Sequence, residues 1–286
     1  MIRRPPRSTL DRSSAASDVY KRQMKKMILV LFWTYLSIFA YAADTDTLVI
    51  YSESMKKKIS TLVIIPDDYV KDNRSNSAVM LLHGYGGNFL DWSKNADLDI
   101  TADEFNFILV CPDGSTNSWY LDSPIDQYSQ YETYFINELI PQLKVLYMID
   151  QLAVTGLSMG GHGALYLSLR NPDIFSAVGS MSGGVDLTYS TKKWDISQKL
   201  GSYEQFPIRW HENSIVKMVK KVKGITFPIL IDCGTNDFFI GINRALHSEL
   251  LVQDIKHDFV ERPGGHQWSY WIEALDHHLI FFKKYI

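Results

Sequence analysis

Apolar residues along this chain gather in short unbroken runs separated by longer stretches of helical periodicity. Ala78–Leu82, Phe107–Cys111, Gln151–Thr155, Ala177–Met181 and Pro228–Cys233 are almost wholly apolar, the pattern of strands covered on both faces of a parallel sheet. Upstream, Thr47–Glu53 and Lys58–Ile65 lie a turn's length apart and predict an antiparallel hairpin. His257–Glu261 alternates polar and apolar positions, as a final, half-covered strand would. Helical patterns fill most of the gaps, and Pro112, Pro172 and Pro228 punctuate element ends. Strands alternating with helices predict an α/β fold, a mostly parallel central sheet of about eight strands with helices on both faces. The longest excursion between strands, Val185–Phe227, holds Trp194, Phe206 and Trp210. It predicts a small cap insertion near 185–227, the place where substrate choice would be set.

One junction in this pattern carries chemistry. The run Gln151–Thr155 passes through Gly156-Leu157-Ser158-Met159-Gly160 directly into an apolar helix near 159–169. Gly-x-Ser-x-Gly between a strand and a helix is the arrangement of a nucleophile elbow. The sharp turn would lift Ser158 above the sheet on a strained backbone, and Gly156 and Gly160 would keep side chains out of the space where strand and helix nearly touch. The helix start aims amide groups, chiefly that of Met159, at an anion forming beside the serine. Without partners the motif would be only a glycine-rich turn. In α/β-hydrolases the partners follow in the order acid, then histidine. Asp237 lies in Thr235–Phe239, just past the strand 228–233, and His266 follows the strand 257–261. Both positions are at the carboxyl ends of strands, where open α/β sheets place their sites. His266 would then take the Ser158 proton, and Asp237 would hold the imidazole. Asp237 could instead cap the helix near 240–253. Asp232, inside its strand, should face away from the site.

The run Ala78–Leu82 ends in His83-Gly84-Tyr85-Gly86-Gly87. The loop after this strand is expected to donate the second oxyanion N–H, from Tyr85, with Gly84 or Gly86 as alternatives. His83, at the strand end, reads as a buried, hydrogen-bonded structural histidine.

Four motifs in order resemble the putative esterase family. They are His83–Gly87, Asn117–Pro124, Tyr131–Pro141 and Gly156–Ala164. That family includes esterase D, tributyrin esterase, feruloyl and acetyl-xylan esterase modules and the mycolyltransferases. The likeness runs from about residue 47 to the C-terminus. It implies an α/β-hydrolase fold, no cofactor, and Ser158, Asp237 and His266 in the family's triad positions. By the same resemblance Trp119 and Tyr120 fall in a loop bordering the substrate pocket; the alternative is that they pack beneath it. The implied activity is serine carboxylic-ester hydrolysis through an acyl-enzyme, on small-molecule esters or acyl esters of carbohydrate. Acyl transfer to a sugar hydroxyl and S-formylglutathione-type thioester hydrolysis are the alternatives, and a non-catalytic protein on the same fold is the third class.

Composition refines this picture. The 286 residues, 46% of them hydrophobic, suffice for one large core. Residues 1–23, rich in Arg and Ser with little apolar pattern, read as translated adapter sequence rather than fold. Met24, Lys25-Lys26, the apolar Met27–Phe39 and Ala40-Tyr41-Ala42 then read as a signal peptide over 24–42, leaving a catalytic domain at 43–286 that is secreted or periplasmic. A retained membrane anchor is the alternative, although the apolar stretch is short for a span. The 42 leading residues hold eight of the 29 basic and two of the 32 acidic residues, so 21 basic and 30 acidic residues remain. So acidic a body argues against nucleic acid as a partner. No Cys/His spacing suggests a metal site. Cys111 and Cys233 end strands that should be separated in the sheet, too far apart to bridge. Oligomeric state is not encoded in any visible pattern. N-terminal sequencing of the exported protein should begin near Ala43; a membrane-bound product still carrying Met27–Phe39 would favour the anchor instead.

Overall fold

The computed structural model describes residues 44–69, 76–222 and 224–286. The leader and the signal segment, residues 1–42, lie outside these. Eight strands form one sheet: β1 (Asp44–Ser52), β2 (Lys57–Ile65), β3 (Asn76–Leu82), β4 (Ile108–Pro112), β5 (Ile149–Gly156), β6 (Ala177–Met181), β7 (Ile229–Gly234) and β8 (Asp258–Arg262). Their spatial order is β1-β2-β4-β3-β5-β6-β7-β8. β2 runs antiparallel to both β1 and β4, and all other neighbours are parallel. Each of the five apolar runs read as buried strands forms one, and the opening hairpin pairs without a slip from Asp44 opposite Ile65 to Ser52 opposite Lys57.

Continuous apolar character is explained by the two cores. In β3, Ala78, Met80 and Leu82 join one buried cluster, with Ala164 and Leu167 of the elbow helix (Met159–Arg170) and Phe135 and Leu139. Val79 and Leu81, on the opposite face, join Leu98 and Ala102 of the helix Leu98–Phe105 and Leu275 and Leu279 of the C-terminal helix Trp268–Phe282. A strand covered on both faces has no polar side to alternate to.

Strand and helix meet most tightly at the elbow. A Cβ on Gly156 would stand 2.6 Å from the Gly160 carbonyl carbon and 2.7 Å from Leu82 Cβ, and one on Gly160 would run into the Leu82 and His83 carbonyls. Larger residues would force the helix off the sheet. Among the described residues, no helix is long and apolar enough to cross a membrane.

Cys111 in β4 and Cys233 in β7 are both buried and free, with β3, β5 and β6 between their strands. Burial pushes both thiols well above the ordinary cysteine range, so neither holds reactive thiolate. Native protein should therefore resist thiol reagents. Unfolding without reductant should expose two alkylatable groups, counted by mass spectrometry; zero would contradict the strand order.

Candidate active site

The turn after β5 puts Ser158 at φ 55, ψ −113, a region that residues with a Cβ rarely occupy. The surroundings hold it there. Ser158 N–H donates to Met181 O at 2.9 Å, and its carbonyl accepts from His162 and Gly184 amides, each at 3.1 Å. Its Oγ thereby emerges over the sheet and lies 2.9 Å from His266 Nε2.

His266 arrives by a different route. Beyond β7 and β8 two loops lie side by side, laced by Thr235 N–H to Arg262 O (2.9 Å) and Asn236 N–H to Gly264 O (2.8 Å). Gly264 has φ 147, and a Cβ on Gly234 would collide with its backbone. Closely joined, the loops bring His266 Nδ1 within 2.9 Å of Asp237 Oδ2. The other carboxylate oxygen, Oδ1, accepts the Phe239 amide at 2.7 Å. Asp237 thus holds both the histidine and the Phe239 amide, but it is not the cap of the helix Ile240–Val252, whose N-cap is Phe239 without a side-chain cap bond. Its side chain is fully buried, whereas His266 is slightly exposed. An imidazole donating from Nδ1 to the carboxylate presents an unprotonated Nε2 to the hydroxyl.

Asp232 points elsewhere. It lies against the Tyr270 hydroxyl and 2.9 Å from Arg262 Nη2. Burial raises its pKa, with both partners pulling the other way. His83 is buried, accepts the Gly114 amide at Nε2 (2.9 Å) and donates from Nδ1 to Gly84 O (2.8 Å). Burial holds its pKa below the usual imidazole value, and both nitrogens are spent on backbone. Of the amides near Ser158, that of Gly86 is committed to Thr116 O at 2.7 Å. Those of Gly84, Tyr85 and Met159 have no acceptor among the described residues.

Trp119 and Tyr120 are both buried. Both adopt left-handed backbone (φ 54 and 60), which turns their rings inward. Tyr120 is wholly buried: its hydroxyl donates to His83 O at 2.9 Å, and its ring lies where a Cβ on Gly163 would be. Trp119 donates from Nε1 to Trp194 O at 3.0 Å and packs edge-on against His162. Packing under the loop is therefore the arrangement adopted.

The aromatic surface beside the site comes from residues that sequence reasoning passed over. Phe238 lies against His266 at a tilt of 38° with centroids 4.2 Å apart, while Trp194 stacks on Phe238 at 6.1 Å and Tyr189 on Trp194 at 6.3 Å. Phe238 and Tyr189 are 48% and 47% exposed. An apolar residue directly after the candidate acid was the available signal. From the insertion, Tyr189 and Trp194 contribute to this surface. Trp210 is core, its Nε1 bound to Gly201 O at 2.9 Å, and Asn213 O accepts from His162 at 2.9 Å.

Residues 52–282 match the family described as putative esterase. An acetyl esterase of Caldicellulosiruptor saccharolyticus is 29% identical over 251 residues, 77% of this chain and 91% of the relative. An endo-1,4-beta-xylanase/feruloyl esterase of Xylanibacter ruminicola is 25% identical over 243 residues, 79% of this chain but 29% of that longer protein. Among solved structures, a ferulic acid esterase superposes with TM-score 0.74 at 26% identity, covering 85% of this chain and 98% of its own.

Replacing Asp237 with Asn should keep the fold but reduce turnover of an aryl ester by about 10⁴-fold, because an amide favours the wrong imidazole tautomer. Asp254→Asn and Asp258→Asn should leave turnover unchanged. Near-normal activity in Asp237→Asn would remove the residue from the site.

Proposed function

Because this chain belongs to the putative esterase family and is an ester hydrolase of that family, we propose that it works through an acyl-enzyme on Ser158, with acyl esters of carbohydrate as substrates. The observation carrying the mechanism is the pair of 2.9 Å contacts that join Ser158, His266 and Asp237 in series.

Ser158 Oγ attacks the ester carbonyl carbon while its proton passes to His266 Nε2. The carbonyl π electrons move onto oxygen, and the Tyr85 and Met159 amides face that anion. Asp237 stabilises the imidazolium. Collapse breaks the bond to the alcohol oxygen, which leaves with the proton from His266. Water then repeats the sequence on the acyl-serine and frees the acid. Amides fixed in advance toward such an anion would need no reorganisation as charge develops, the usual source of the largest rate gain.

Support for the substrate class comes from the stack of Tyr189, Trp194 and Phe238 leading to His266. Flat aromatic faces exposed beside the nucleophile suit a sugar or aryl ring. The relatives named for acetyl and feruloyl esters point the same way. A signal segment at 24–42 would deliver the enzyme to polymeric substrates outside the cell.

Ser158→Ala should lose ester hydrolysis by about 10⁴-fold or more and lose labelling by a fluorophosphonate, with unfolding temperature retained; equal turnover would remove Ser158 as nucleophile. Given acetylated xylan, methyl ferulate and p-nitrophenyl esters of increasing length, the enzyme should favour the carbohydrate or short acyl esters. Activity confined to long-chain esters would discard the substrate class, and products acylated on trehalose would establish transfer.

A further inference from the structure

The Tyr85 peptide sits in a stretch with little stiffness of its own. Gly84 precedes it, Gly86 and Gly87 follow, and Gly86 is left-handed at φ 79 with nothing near its missing Cβ. Backbone bonds fix the neighbours: Gly86 N–H to Thr116 O at 2.7 Å and Gly87 N–H to Gly84 O at 3.1 Å. The Tyr85 amide itself has no acceptor among the described residues. Chain flanked by glycines loses much conformational freedom when ordered, so an oxyanion donor there needs an anchor.

The side chain provides one. Although Tyr85 is 42% exposed, its hydroxyl donates to Asp195 Oδ2 at 2.7 Å, across 110 residues of sequence. This contact raises the tyrosine's pKa and keeps it a donor. Asp195 is held firmly at its own end. Trp194 and Asp195 are consecutive left-handed residues (φ 58 and 53), a conformation that persists only where the surroundings enforce it. The Trp194 carbonyl accepts Trp119 Nε1, and its ring stacks on Phe238, which packs at a tilt against His266. One strained turn therefore touches the loop bearing Tyr85 and, through two rings, the histidine.

We propose that Asp195 is a positioning residue: by holding the Tyr85 hydroxyl, its carboxylate orients the Tyr85 peptide toward the anion formed at Ser158. The inference rests on the reading of Ser158 as nucleophile and Tyr85 as amide donor. It assigns the insertion a part in the chemical step as well as in substrate choice.

The test compares Tyr85→Phe, Asp195→Ala, their double variant, Asp195→Asn and Ser158→Ala on one soluble aryl acetate, with thermal unfolding of each. A fully lost oxyanion donor costs about 10²–10³ in kcat, so a loosened one should cost about tenfold. Tyr85→Phe and Asp195→Ala should each show that loss with KM nearly unchanged, and the double variant should be no slower than either, because both remove one hydrogen bond. Asp195→Asn should keep most activity, since its amide oxygen still accepts the hydroxyl and asparagine tolerates left-handed backbone. Tyr85→Phe leaves the backbone untouched and decides the matter if Asp195→Ala unfolds. Unchanged kcat in Tyr85→Phe, a loss confined to KM, or losses that multiply in the double variant would overturn the assignment while an inactive Ser158→Ala left the acyl-enzyme standing. An active Ser158→Ala would overturn both.

Discussion

The site depends on how closely the elbow helix approaches the sheet. At Gly156 and Gly160 the backbones of β5, the helix and the end of β3 share space that a single methyl group would fill. That proximity lets Ser158 stand at the turn with its amide on Met181 O and its carbonyl on the helix and on Gly184. A residue at φ 55 with a Cβ is costly in isolation, on the order of 1–3 kcal/mol, and persists because the packing around it allows no other path. The same approach brings the end of β3 beside the serine, where a Cβ on Gly84 would lie 3.6 Å from Ser158 Cβ.

The histidine is placed by different physics. Here two parallel strands, β7 and β8, release loops at the same edge, and backbone hydrogen bonds between those loops set the distance from Asp237 to His266. Asp237 satisfies two demands with its two oxygens, one on Phe239 N–H and one on the imidazole. A carboxylate held at both ends has little rotational freedom left, which suits a group whose task is to fix a tautomer. Asp232, only five positions earlier and within β7, is drawn into the Arg262 and Tyr270 network instead. Strand parity and position separate the two acids: one lies within the sheet, the other past its end.

These distinctions were legible in the sequence where they followed from periodicity and order. Unbroken apolar runs identify the strands because both sheet faces are covered, and the glycines at 156 and 160 identify the elbow because only they fit. Ser158, Asp237 and His266 follow from chain order at strand ends. Trp119 and Tyr120 could not be placed in that way. Their direction depends on two consecutive left-handed residues, and aromatic residues carry no sequence mark of that conformation. The wall formed by Tyr189, Trp194 and Phe238 was hidden for a related reason: its members come from segments far apart in sequence, and stacking between such segments has no local period.

A division of labour between the sheet and the insertion follows. On the proposed mechanism the sheet supplies what any ester requires, namely a lifted hydroxyl, a base and its acid, and amides for the nascent anion. The elbow itself is held by glycines and backbone bonds, which depend little on neighbouring side chains. The stretch 187–195 supplies ring faces and a carboxylate, all side chains, and these can be exchanged without disturbing the elbow. Yet its turn at Trp194 and Asp195 is strained, and it grips Tyr85, Trp119 and Phe238 together. Substitution there would alter the aromatic wall and the hold on the Tyr85 side chain at once. Changes of specificity in this molecule should therefore be easiest at Tyr189 and Phe238, whose rings end in the open, and hardest at Trp194, where the wall and the frame of the site are the same residue.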